Sequence, residues 1–227
     1  MRIAVLQHSL RADAGADADA LVSSVTVAID HGAGVVVLPE VPAVHGGPLL
    51  EEWWQRVTIA ARGTSVFVPH VGLDSGSVAF IAELEPLGHV AVLSGDAVVD
   101  PDALRQTLVY GADVVVLAPR SESDLQVEAV LELAIDLSLS VASLVLVVEP
   151  DGAQLGQPGH GGSAIVYLGQ VMAEASTGDD MLFYDVDLPL SAPEPRAPVP
   201  QIALILAQRL AVHRGRKLDV SYPADLS

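Results

Sequence analysis

GHVAVLSGD, residues 88–96, joins an apolar run with no helical stripe to a small hydroxyl, a glycine and a carboxylate. The run Val90–Leu93 reads as a buried strand, and Ser94–Gly95 closes it, so Ser94 is delivered at the strand's end as in a catalytic elbow. GAGVVVLPE, residues 32–40, repeats the pattern, with strand Val35–Leu38 presenting Glu40 just past the hydrophobic run. Open α/β sheets hold their ligands at such strand ends. A third strand, Val114–Leu117, ends in Ala118–Pro119 with no ionisable group.

Outward from these strands the chain alternates between the two periodicities. Arg2–Gln7 reads as the first strand. Asp17–Asp30 follows as an amphipathic helix with Leu21, Val25, Ala28 and Ile29 on one stripe, stopped by Gly32 and Gly34. Pro42–Pro48 is a loop, and Leu49–Ala61 is a helix in which the adjacent Trp53 and Trp54 must face different surfaces, an exposed one being an anchor for a partner. Strands near Val66–Val71 and Val78–Leu84 flank the turn signal LDSGS. After the elbow, Asp100 is an N-cap and Pro101 the first residue of a helix running to Tyr110. A helix over Glu122–Leu137, a strand over Val141–Val148 and a Gly-rich loop over Pro150–Gly162 come next. Ser163–Leu168, Val171–Ala175 and Leu182–Val186 read as a closing antiparallel meander. Residues 1–188 thus form one α/β domain with helices packed on sheet. Residues 189–200 hold five prolines in twelve positions and read as a stiff arm. The arm leads to a helix over Gln201–Arg214 with Ile202, Ile205, Leu206 and Leu210 on one face, to be packed on its own core or on a neighbouring subunit.

Composition excludes several functions. The chain has 227 residues, 51% of them hydrophobic, enough for one large core. Its 11 basic and 29 acidic residues give a formal charge of −18, which argues against nucleic acid and anionic membrane as partners. With no cysteine there is no disulfide framework, thiolate metal site or Cys nucleophile. The segment MRIAVLQHSLRADAG lacks the long apolar core of a signal peptide, and VASLVLVV at 141–148 is too short to span a bilayer, so a cytoplasmic protein is expected. Seven histidines show neither HxxxH nor HxH spacing, and no metal is expected; His160, in QPGHGG, is the one that a Gly-rich loop could carry to a pocket. PAVHGG at 42–47 lacks the Walker lysine and the Rossmann glycine spacing, and no cofactor is expected.

In order along the chain, RIAVLQ at 2–7, VVVLPE, VAVLSGD, GADVVVLAP, the strand before EPDG, GGSAIVYLGQVMAEAS and FYDVDL at 183–188 resemble the nitrilase superfamily of carbon–nitrogen hydrolases. The resemblance implies a four-layer αββα sandwich, an active site at the strand ends, and subunits paired face to face. Family enzymes hydrolyse amides or nitriles with a Glu base, a Lys that stabilises developing negative charge, and a Cys nucleophile. By position, Glu40 matches the Glu, Ser94 falls at the Cys, and Asp96 matches the Asp two residues later. Gly95 replaces the elbow aromatic. The Lys is missing: residues 41–93 contain none, and the chain's one lysine is Lys217. Ser94 follows Glu40 by only 54 residues, which trims the segment that would carry the Lys. Arg56 and Arg62 remain there as surface cations, and a guanidinium does not substitute for an ammonium in a tight pocket.

A serine hydroxyl needs an adjacent base where a thiolate forms readily. Without a cation or oxyanion donors, most electrostatic stabilisation of an acyl-transfer transition state is lost. The sequence therefore predicts a degenerate, non-catalytic nitrilase-like subunit or scaffold in a homo- or hetero-oligomer, paired with itself or with an active relative. Two other readings stand beside it: a residual amidohydrolase using Glu40 and Ser94 on a small amide, and a small-molecule binding protein that keeps the pocket, with Asp96 and His160 as lining candidates.

Overall fold

The structure, a computed structural model, describes residues 1–39, 48–69, 78–152 and 159–188. Among the described residues there are two sheets and four α-helices. The first sheet has the order β10-β1-β2-β3 and the second β4-β5-β6-β7-β8-β9. Their strands are β1 (Arg2–Gln7), β2 (Val35–Val37), β3 (Ser65–Phe67), β4 (Val78–Leu84), β5 (Gly88–Ser94), β6 (Val114–Ala118), β7 (Leu144–Val147), β8 (Ala164–Tyr167), β9 (Gln170–Glu174) and β10 (Asp180–Asp185). The helices are α1 (Ala14–Asp30), α2 (Pro48–Ala61), α3 (Pro101–Tyr110) and α4 (Asp124–Val141), with a 3-10 helix at Gly95–Val99.

Strand alternation sorts the apolar side chains into three layers of core. Ile3, Val5, Val35 and Val37 meet Val90, Val92, Val114, Val116, Leu144 and Leu146 between the sheets. Their neighbours Ala4, Leu6, Val36 and Leu38 face Leu21, Val25 and Ala28 of α1 and Trp53 and Val57 of α2. On the far side, Ala91, Leu93, Val115, Leu117, Val145 and Val147 face α3 and α4. The result is the four-layer αββα sandwich, and it explains why β5, β6 and β7 are hydrophobic at successive positions: both faces of each strand are covered.

Local chemistry accounts for the element ends. Asp100 caps α3 through the Asp102 amide at 3.0 Å, Pro101 is the first helical residue, and Gly111 ends the helix in the left-handed region. α1 starts at Ala14, three residues before the expected Asp17, because Asp13 accepts from the Ala16 amide at 2.7 Å and caps the helix there. α4 runs a full turn past Leu137 to Val141, since nothing between them breaks a helix, and β7 is correspondingly shorter than Val141–Val148.

Two long-range pairings depart from the sequence reading. β8 and β9 form the expected hairpin, but β10 does not complete a meander; it crosses to the other sheet and pairs antiparallel with β1, Arg2 opposite Asp185 and Gln7 opposite Asp180. Likewise β3 and β4, read as neighbours across LDSGS, belong to different sheets, β3 parallel to β2 and β4 antiparallel to β5. Trp53 is buried and Trp54 half-exposed, on different surfaces as their adjacency requires. Among the described residues no helix is long and apolar enough to cross a membrane. The arm and helix at 189–214 lie outside the described residues.

Candidate functional site

β5, β6 and β7 are parallel, so their carboxyl ends emerge on one rim of the second sheet, with Ser94 beside Ala118 and Leu117 beside Val147. β1 and β2 are parallel in the first sheet. The two rims meet where the chain beyond β1 pairs with the chain beyond β7: Asp151 donates its amide to the His8 carbonyl at 2.8 Å, and Leu10 donates to the Asp151 carbonyl at 2.9 Å. The exits of β1, β2, β5, β6 and β7 therefore share one rim of the sandwich. Glu40 itself lies outside the described residues; Leu38, two positions before it, is buried against α1 and α2 and donates its amide to the Phe67 carbonyl at 2.9 Å.

Ser94 is the last residue of β5, fully buried and extended at φ −126° and ψ 154°. By strand alternation its side chain shares the inter-sheet face with Val90 and Val92. Gly95 follows at φ +54°, in the left-handed region that a residue without Cβ occupies at no steric cost. This turn is the elbow foreseen from GHVAVLSGD. The Ser94 hydroxyl, however, has no hydrogen-bond partner among the described residues and does not cap the 3-10 helix that follows. Asp96 is partly exposed in the first turn of that helix and engages in a polar or electrostatic interaction of its own. His160 sits at the rim in an isolated bridge with Asp151, and its ring Nδ1 turns to Asp124 at 3.3 Å. Arg56 and Arg62 lie on or just past α2, on the outer helical layer, ion-paired with Asp19 and, at 3.1 Å, with Asp30 of α1.

Among the described residues, further polar chemistry of the rim lies at positions that sequence reasoning passed over. Glu149, fully buried two residues past β7, accepts from the Ser121 amide and, at 2.9 Å, from the Ser121 hydroxyl. Its amide donates to Ser163 Oγ at 3.0 Å, and Ser163 Oγ donates back to its carbonyl at 3.0 Å. Gln7, at the end of β1, accepts from the Ser163 amide at 2.9 Å and donates to the carbonyls of Ser176 and, at 2.9 Å, Gly178. Gly161 leaves room for this amide: at φ +72°, a Cβ there would stand 3.0 Å from Gln7 Nε2. Arg120 follows Ala118 and Pro119 at the β6 exit and is already engaged in a polar or electrostatic interaction. Extending the reading of that exit by one residue would have found it. Among the described residues no group of three or more His, Cys, Asp or Glu is placed to hold a metal ion.

The sandwich is the fold of nitrilase-superfamily amidases. Superposition matches the NitN amidase from Nesterenkonia sp. AN1 at 16% identity over 95% of this chain and 99% of that one, with a TM-score of 0.64. A cysteine-to-serine mutant of an amidase from the same organism, assigned to the nitrilase superfamily, matches with the same score and identity over 97% of its length. A cysteine-to-alanine mutant in complex with butyramide matches with a TM-score of 0.63 over 96% of its length. No family model and no curated protein matches the sequence.

Proposed function

We propose that the chain is a catalytically degenerate nitrilase-like protein, acting as a non-catalytic subunit or scaffold in an oligomer of its own copies or with an active relative. The observation that carries this reading is the state of Ser94. An activated serine needs a base within hydrogen-bond reach, whereas the Ser94 hydroxyl is fully buried at the elbow with no partner among the described residues. The chain supplies no cysteine at all. The arginines that stand where the shortened segment would need a lysine are spent on ion pairs between α1 and α2. The amidase fold of the neighbours supports a pocket of that kind as the ancestral site, with its electrostatic machinery gone.

The test is the mass of the purified chain by light scattering, with identification of proteins that copurify from its native host, combined with an amide-hydrolysis screen of the parent, Ser94→Ala and Glu40→Gln. A multi-chain assembly with no turnover that depends on either residue is the expected result. Turnover abolished by Ser94→Ala and Glu40→Gln would replace the proposal with a residual amidohydrolase. A monomer that hydrolyses nothing but retains a small amide through gel filtration would replace it with a binding protein.

A further inference from the structure

The segment between β9 and β10 carries the chain from the edge of the second sheet to the edge of the first, and beside the Gln7 hydrogen bonds part of its anchorage is ionic. Asp179 accepts from the Ser9 amide at 2.7 Å through Oδ1 and from the Arg11 guanidinium at 2.8 Å through Oδ2. The same Oδ1 lies 3.3 Å from Nδ1 of His8. The other ring nitrogen of His8, Nε2, lies 2.7 Å from Oδ1 of Asp17 on α1. His8 and Asp17 are both buried, and Asp17 Oδ2 has no hydrogen-bond partner.

We infer that His8 is a proton-dependent clasp on this crossover. Both ring nitrogens face carboxylate oxygens, and a neutral imidazole carries only one N–H. Whichever tautomer forms, one nitrogen then turns a lone pair toward a carboxylate. Only the imidazolium donates toward both. A carboxylate buried as deeply as Asp17 also requires a cation beside it, because half of its acceptor capacity is unanswered. Arg11 serves Asp17 through its backbone amide, at 2.9 Å, while Nη2 of its guanidinium pairs with Asp179 and Nη1 is buried without a hydrogen-bond partner. The ring of His8 is the ionisable side chain in hydrogen-bond contact with the Asp17 carboxylate.

The other charged groups around the clasp have assigned partners. Asp151, whose amide pairs with the His8 carbonyl, gives Oδ2 to the Gly178 amide at 2.8 Å, and Asp180 accepts from the Ser176 amide at 3.0 Å. His160, bridged to Asp151, turns its ring to Asp124. With His8 protonated, two cations face Asp17 and Asp179. When the ring loses a proton, Arg11 alone remains. The longer, more exposed approach to Asp179 is the one that gives way, and the crossover loosens from the exit of β1 while Gln7 still holds the carbonyls of Ser176 and Gly178.

The experiment is NMR on the full chain from about pH 5.5 to 8.5, a range in which histidines change charge and ordinary carboxylates do not. Ring 15N shifts of His8 report its protonation, and intrinsic-rate-corrected exchange reports protection at the Ser9 and Gly178 amides. The ring is expected to be doubly protonated at the acid end, and protection at both amides to fall by up to about fivefold in step with its deprotonation, the loss expected of one partly exposed ion pair. In His8→Gln, and independently in Asp179→Asn, which leaves the His8–Asp17 contact in place, the pH step should vanish. A single neutral tautomer across the range, or a step that survives Asp179→Asn, would overturn the inference.

Discussion

At the exits of β1 and β7 a dense set of side chains closes on itself: Gln7, Glu149, Ser121, Ser163 and Asp151 join five separate stretches of chain through buried and part-buried hydrogen bonds. At the exit of β5, on the same rim, Ser94 is as deeply buried and its hydroxyl meets none among the described residues. The closed set fastens the two sheets together, whereas the elbow, with Gly95 at φ +54°, holds a hydroxyl that no described residue answers.

Breaking the closed half should have the largest effect. Gln7→Leu keeps the volume of the side chain but strands the buried Ser163 amide and withdraws the donor from two carbonyls. A buried backbone group without a partner costs ~1–3 kcal/mol, so a loss of about 3 kcal/mol is expected in urea denaturation, with the midpoint falling at constant m-value. A loss below about 0.5 kcal/mol would mean that water replaces the amide without penalty and that the two halves of the rim do not differ in the way described.

The open half should respond with the opposite sign. Ser94→Ala removes a hydroxyl that is desolvated and unbonded, leaving a side chain suited to the inter-sheet face of Val90 and Val92. Stabilisation by about 1 kcal/mol is expected from the same denaturation experiment. A destabilisation of that size would show that the hydroxyl is answered in solution, and would direct attention to what answers it.

This division also marks what sequence could reveal. β5, β6 and β7 were legible because covering both faces of a strand demands uninterrupted Val, Leu and Ala, and α3 because Asp100–Pro101 writes its own beginning. The sandwich followed from their order and from the resemblance that order carries. The side on which β10 pairs was not legible: DMLFYD suits a strand in either sheet, and its partner, β1, lies some 180 residues away in the register Arg2–Asp185. The same distance hid Gln7 and His8. At the end of an apolar strand a Gln-His pair looks like the polar start of a turn, and only Ser163, Ser176 and Asp179, brought in from the far end of the domain, give the pair its purpose. Ser94 was identified as an elbow from its neighbours in sequence, whereas the isolation of its hydroxyl depends on what other strands bring beside it, which no local pattern records.

The smallest effect sharpens the comparison from outside the rim. At the opposite end of the β1–β10 pair, Arg2 grips Asp185 through two nitrogens, at 3.0 and 2.8 Å, and the hydrogen bond from Arg2 holds the Asp185 carboxyl below its ordinary range. A carboxylate depressed in the folded state contributes stability that is present above its unfolded pKa and is lost as the pH falls through the folded one. Asp185→Asn should therefore remove a shallow acid-side slope from the stability profile and leave the neutral plateau nearly unchanged, because both partners are open to solvent and salt screens them. The clamp at this end and the His8–Asp179 contact lie at opposite ends of the same strand pair. Persistence of the acid-side slope in Asp185→Asn would assign it to a carboxylate elsewhere in the chain.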